Sequence, residues 1–143
     1  MFSHNGWSWC PPPGTHGYDW GNDRSRLSFS NYGTCLDAQG WGSGVTTTGY
    51  GDLSKKRNIQ NRDYTDFFAG TSSATPLVAG AIACAQGTLI ARGKEPMYPA
   101  LLRYFLTNSG TNQQDESGRP SAQRIGNLPD IKQIIELANE NDP

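Results

Sequence analysis

The 143-residue chain has little of several features that would assign it to a class at once. Its charges nearly balance, with 12 Lys and Arg against 13 Asp and Glu, so its charge favours neither a nucleic acid nor an anionic membrane surface as a partner. It lacks an unbroken run of about eighteen apolar residues, which predicts that nothing in it spans a membrane. Its beginning lacks a basic stretch followed by an apolar one, which predicts no secretory signal in this chain.

Cysteine and histidine are also scarce, at three and two residues. The sequence has no Cys-x-x-Cys and no His-x-x-x-His pattern, so we expect no structural metal site. Cys84 lies in an apolar stretch and is predicted to be a buried thiol. Cys10 and Cys35 lie in loop or strand-edge contexts and are candidates for a disulfide in an oxidising compartment, with free thiols as the alternative.

At this length the chain is one domain or part of one, and its sequence pattern predicts many turns, short strands and three helices. It contains 17 glycines and 9 prolines, and its mean hydropathy is −0.63. Strands are predicted over residues 27–30, 35–39, 45–48 and 64–68. Helices are predicted over residues 72–92, 99–107 and 129–138. The first helix is apolar nearly all round, which predicts that it is buried.

The segment GTSSATPLVAG places Ser72 at the start of that apolar helix. At a helix N-terminus the backbone N–H groups have no intrahelical acceptor and the helix dipole is positive, so an oxyanion is stabilised there. Gly70 permits a close approach of substrate or backbone, and the small residues Ser73 and Ala74 are expected to keep the entrance open. The alternative is that Ser72 merely caps the helix, which contributes about 1 kcal/mol.

The same segment closely resembles the Gly-Thr-Ser-x-Ala-x-Pro-x-Val-Ala-Gly signature of the subtilisin-like serine peptidases. Upstream, FSNYG followed by TCLDAQG is similar to a conserved turn, strand and loop of that family, with Gln39 where proline is common. Downstream, PALLRYFLTNSGT resembles the helix packed behind the serine helix. The segment RIGNLPDIKQII resembles the terminal helix of bacterial secreted members. The resemblance extends over residues 24–138.

The resemblance implies endopeptidase chemistry on a polypeptide substrate, through an acyl-enzyme on Ser72 whose own N–H is an oxyanion donor. Gly70 and Thr71 then belong to the substrate-binding site. The implied fold is a subtilisin-like three-layer α/β sandwich, with a mainly parallel sheet around the buried serine helix. Residues 24–143 are then the C-terminal portion of such a domain, incomplete N-terminally, and residues 1–23 are an irregular segment. The family also implies an extracellular location; no cofactor is expected here, although calcium is conceivable in an intact member.

The family's other catalytic segments have no recognisable match. Subtilisin has its triad in the order Asp, His, Ser, so both partners of Ser72 should precede it. The only histidines are His4 and His16, and neither lies in the family's His-Gly-Thr-x-Val-Ala-Gly helix start. Asp19 and Asp23 follow His16, which breaks the expected order.

The asparagine of the family's oxyanion hole is not recognisable either, because the His-Asn-Gly around Asn5 lacks the preceding buried strand. We therefore expect the missing N-terminal part of the domain to supply the histidine and the aspartate. A piece of this kind should leave its serine helix uncovered and be poorly stable alone. The alternative is a catalytically inactive remnant or binding module that retains the peptidase scaffold.

Overall fold

The computed structural model describes residues 21–49 and 63–140 of the chain. In chain order these form β1 (Val45–Thr48), β2 (Tyr64–Phe68), α1 (Thr71–Ala91), α2 (Pro99–Asn108) and α3 (Ile131–Glu140). The three predicted helices and the last two predicted strands are thereby confirmed. The strands predicted over residues 27–30 and 35–39 are wrong, because neither segment forms a ladder with a neighbour.

The sheet in the described part of the chain is a two-stranded antiparallel pair, not a mainly parallel sheet. Val45 pairs with Phe68, and an irregularity follows in the register of β1. Parallel pairing occurs among the described residues only as isolated bridges, one of which joins Ala38 to Asn127. That bridge gives the 35–39 segment one pairing contact, which is too little for a strand. Helices with a small sheet remain compatible with the α/β class.

The apolar core lies among the three helices, towards the C-terminal half of α1. Its buried side chains are Ala85, Leu89, Met97, Phe105, Leu106 and Ile134. The connection from α1 to α2 is fixed by Gln86, whose side-chain amide donates to the Met97 carbonyl oxygen at 2.9 Å. The Gln86 side-chain oxygen accepts from the Met97 N–H, also at 2.9 Å. Pro99 then begins α2. A backbone N–H at this position has no acceptor within the helix, so proline, which lacks an N–H, loses no hydrogen bond here.

Helix α1 is much more exposed than its composition predicts. Its buried residues are Ser73, Ala85 and Leu89, whereas Leu77 is 38% exposed and Ile90 is 58% exposed. The prediction of a buried helix is therefore wrong for this chain, because one long face has no covering among the described elements. Cys84, predicted to be a buried thiol, is also exposed.

Helix α1 also has the length and composition of a membrane-spanning helix. It has 21 residues, a mean hydropathy of 1.5 in its most apolar window, and no Asp, Glu, Lys or Arg. The sequence-based expectation considered only unbroken apolar runs, and serine, threonine and glutamine interrupt this one. Core helices of soluble proteins and signal sequences meet the same two criteria. The expectation that nothing in the chain spans a membrane therefore stays a prediction.

Candidate active site

Helix α1 begins directly after a glycine in a conformation that other residues rarely adopt. Gly70 precedes the first helical residue, Thr71, with φ of 112° and ψ of 177°. A side chain at this φ would strain the backbone, which accounts for glycine here. No described side chain makes a capping hydrogen bond at this end. Ser72 is the second residue of the helix, so the interpretation of Ser72 as a helix cap is wrong.

Ser72 is exposed, at the positive end of the helix dipole. The Ser73 N–H donates to the Gly70 carbonyl oxygen at 3.0 Å, and the Ala74 N–H donates to the same oxygen at 3.3 Å. The N–H of Ser72 precedes these bonds, in the part of a helix that has no intrahelical acceptor. Pro76, four residues after Ser72, has no N–H to donate back to the Ser72 carbonyl. The hydroxyl and the backbone N–H of Ser72 therefore lie together at the N-terminal end of α1, where a negative charge is stabilised.

A loop formed by residues 40–43 lies directly against this helix start. The Gly70 N–H donates to the Gly42 carbonyl oxygen at 2.7 Å. The Ser73 hydroxyl lies 3.3 Å from the Trp41 carbonyl oxygen. A Cβ built on Gly40 would lie 2.5 Å from the Ala74 carbonyl oxygen, so the two backbones approach closely. Hydrogen bonds thus hold the loop against the helix. The glycines of the loop have no side chains, so the two backbones can approach this closely.

We expect Gly40→Ala to destabilise the chain by about 1–3 kcal/mol, because its methyl group would have to displace the backbone at Ala74. The matched control is Gly80→Ala, since a Cβ at Gly80 meets nothing within 4 Å. This control should stabilise the chain by about 0.5–1 kcal/mol, as alanine is the better helix former. Urea unfolding followed by circular dichroism measures both changes. Equal midpoints for Gly40→Ala and the unmodified chain would show that the loop does not press on the helix.

A mostly apolar cavity of about 550 Å³ adjoins the site, between the first half of α1 and the segment 21–43. Its lining includes the apolar side chains Leu27, Leu36, Val78, Ile82, Leu106 and Leu128. Within the segment 21–43, residues 35–40 form part of the lining, and the Gln39 N–H donates to the Asn127 carbonyl oxygen at 3.0 Å. The cavity and the exposed face of α1 together leave a large apolar part of the described surface uncovered.

The structure brings together Gly70, Thr71 and Ser72, as consecutive residues at the start of α1. The candidates His4, His16, Asn5 and Asp19 lie outside the described residues, as does Cys10, so its pairing with Cys35 stays a prediction. Asp23 is described, and its carboxylate forms an ion pair with Arg24 at 2.7 Å. The described residues include no histidine. They also contain no group of three or more His, Cys, Asp or Glu arranged to hold a metal ion.

Sequence reasoning missed the role of Ser73. It was expected only to keep the entrance open by being small, but the structure buries it to 2% exposure and engages its hydroxyl. The available signal was a second hydroxyl residue directly after Ser72, on a helix that has few polar side chains.

Residues 17–126 match the sequence model of the subtilase family, peptidase S8. The match covers more than half of the chain and includes both the serine signature and the FSNYG turn. The chain therefore belongs to the subtilase family, whose members are subtilisin-like serine peptidases, a class of hydrolase, and are often secreted. No curated protein and no solved structure gave a significant match.

Proposed function

We propose that this chain supplies the nucleophile of a subtilisin-like serine endopeptidase that cleaves extracellular polypeptides. The observation on which the proposal rests is the exposed Ser72 hydroxyl in the first turn of α1, where it makes no capping bond. In the reaction, the Ser72 oxygen attacks the carbonyl carbon of the peptide bond, and a histidine accepts the hydroxyl proton. The Ser72 N–H stabilises the oxyanion, and the C–N bond then breaks with proton transfer to the departing amine.

Water hydrolyses the resulting acyl-enzyme and regenerates the Ser72 hydroxyl. Gly70 and Thr71 contact the substrate beside the scissile bond, since both lie in the open entrance next to Ser72. Thr71 is exposed, and Gly70 has no side chain to obstruct the approach.

The histidine and aspartate come from a part of the domain that precedes this portion in the family order. In this proposal residues 24–143 are the C-terminal portion of a subtilisin-like sandwich. The family match begins seven residues earlier, at residue 17, so the irregular segment outside it is residues 1–16. The uncharged face of α1 and the apolar cavity support it, because both are surfaces that a completing sheet would bury. The exposed apolar length of α1 is then the central helix of a complete domain.

A binding module that keeps the scaffold without catalysis is the second candidate. The observation that favours it is the lack of a histidine in the described part of the chain. The two candidates differ in one respect: the peptidase gains activity when the missing part is supplied, and the binding module does not.

The test is complementation of the full chain with the N-terminal part of a related subtilase domain. That part carries its own aspartate, histidine and oxyanion asparagine, and ends before the turn that corresponds to Phe29–Gly33. We expect the mixture to hydrolyse a chromogenic peptide, and Ser72→Ala to abolish hydrolysis. Ser117→Ala, at another exposed serine, is the control and should retain it. If the two parts associate in a pull-down and no hydrolysis follows, the binding module is the correct interpretation.

A further inference from the structure

Ser73 is a buried hydroxyl residue whose role neither the family match nor the proposed reaction assigns. Its exposure is 2%, and it is one of four largest fully buried side chains among the described residues. Its hydroxyl lies 2.8 Å from the Gly70 carbonyl oxygen and 3.3 Å from the Trp41 carbonyl oxygen. A hydroxyl has one proton, so it donates mainly to Gly70 and shares the bond with Trp41.

We propose that Ser73 is a positioning residue for Ser72, an inference that rests on the proposed function. Gly70 is held at both of its backbone groups: its N–H donates to Gly42, and its carbonyl accepts from the Ser73 hydroxyl. Glycine is the residue that loses most freedom on folding, and here it stands two positions before the nucleophile. The two bonds fix the direction from which the chain enters α1.

The direction of this entry determines where the Ser72 N–H and hydroxyl point. The Gly70 carbonyl also accepts from the N–H groups of Ser73 and Ala74 at 3.0 and 3.3 Å, which are longer than its 2.8 Å contact with the hydroxyl. Removing the hydroxyl leaves the Gly70 carbonyl with only the two backbone N–H donors and leaves the Trp41 carbonyl without its link to the helix. A displacement of about 1 Å in a reacting group costs up to roughly 100-fold in rate.

Kinetics of the complemented enzyme test the inference with Ser73→Ala and Ser73→Thr. We expect Ser73→Ala to lower kcat by about 10- to 100-fold with little change in KM, and Ser73→Thr, which restores a hydroxyl, to recover most of it. Each rate is divided by the concentration of sites titrated with a fluorophosphonate, so a variant that folds poorly is not mistaken for one with a misplaced serine. An unchanged kcat per titrated site in Ser73→Ala would overturn the inference.

Hydrogen exchange of the full chain provides a readout that needs no activity. We expect the Gly70 amide to exchange about tenfold faster in Ser73→Ala than in the unmodified chain, and Ser73→Thr to restore slow exchange. The segment 131–140 is the internal control and should exchange equally in all three proteins. If complemented wild-type chain hydrolyses nothing, the proposed function fails while exchange still decides whether Ser73 holds Gly70. Equal exchange at Gly70 in Ser73→Ala would refute that restraint.

Discussion

The full chain by itself is expected to hydrolyse no peptide or ester bond at a measurable rate. Ser72 is well placed, but a serine hydroxyl remains protonated and weakly nucleophilic unless a base accepts its proton. The sequence has no histidine in the context that the family uses for this base. In subtilisin, loss of the histidine alone lowers kcat by about six orders of magnitude, nearly as much as loss of the whole triad.

Long incubation of the purified chain with a chromogenic peptide measures this expectation, with Ser72→Ala as the background. The two proteins should give the same slow rate of colour release. Steady turnover by the unmodified chain that disappears in Ser72→Ala and persists in Ser117→Ala would contradict it. In that case His4 or His16 would have to be reconsidered as the base.

A charge introduced on the uncovered face of α1 should prevent assembly of the complete domain without harming the lone chain. Ala83 is exposed, so Ala83→Asp should lower the stability of the lone chain only by the loss of helix propensity, about 0.7 kcal/mol. In the complemented domain the same carboxylate would be buried without a partner, which costs about 3–5 kcal/mol. The affinity for the N-terminal part should therefore fall by about 100-fold or more.

The matched control for this prediction is Ala122→Asp, because Ala122 is an exposed alanine outside the helices. It adds the same charge to the chain and should leave the affinity unchanged. Titration of labelled N-terminal part followed by fluorescence anisotropy measures all three affinities. Equal affinities for Ala83→Asp and Ala122→Asp would show that this face of α1 stays in solvent after complementation.

The helices and the individual strands β1 and β2 were predictable because their signals are local. Pro99 marks the start of α2, and the β-branched run in β1 favours a strand. The start of α3 was predicted two residues early, at Pro129. The missed signal is Asp130, whose carboxylate accepts from the N–H groups of Lys132 and Gln133 at 2.9 and 3.2 Å. An aspartate in this position is a strong helix cap.

Pairing and burial were less predictable, because they depend on segments distant in the chain. The 35–39 segment pairs with Asn127, nearly ninety residues later, at a single bridge. The residues of the segment favour a strand, but they do not indicate how far the pairing extends. The composition of α1 predicts that something should cover it, but composition does not show whether this chain contains the cover. Cys84 was misjudged for the same reason.

The candidate site shows the same division between local motif and distant contact. Gly70, Thr71 and Ser72 follow from one specific motif, and the structure adds that Gly70 is the residue before the helix. The bond from Ser73 to the Trp41 carbonyl joins residues 32 positions apart and has no signature in the sequence.

The site of covalent labelling in the complemented domain tests most directly whether Ser72 is the nucleophile. A fluorophosphonate phosphonylates a serine whose oxygen is activated as a nucleophile, and mass spectrometry of the digest locates the adduct. We expect one adduct, on the peptide containing Ser72, and none in the lone chain. An adduct on any other serine, or a complemented domain that hydrolyses peptides while Ser72 stays unlabelled, would contradict it.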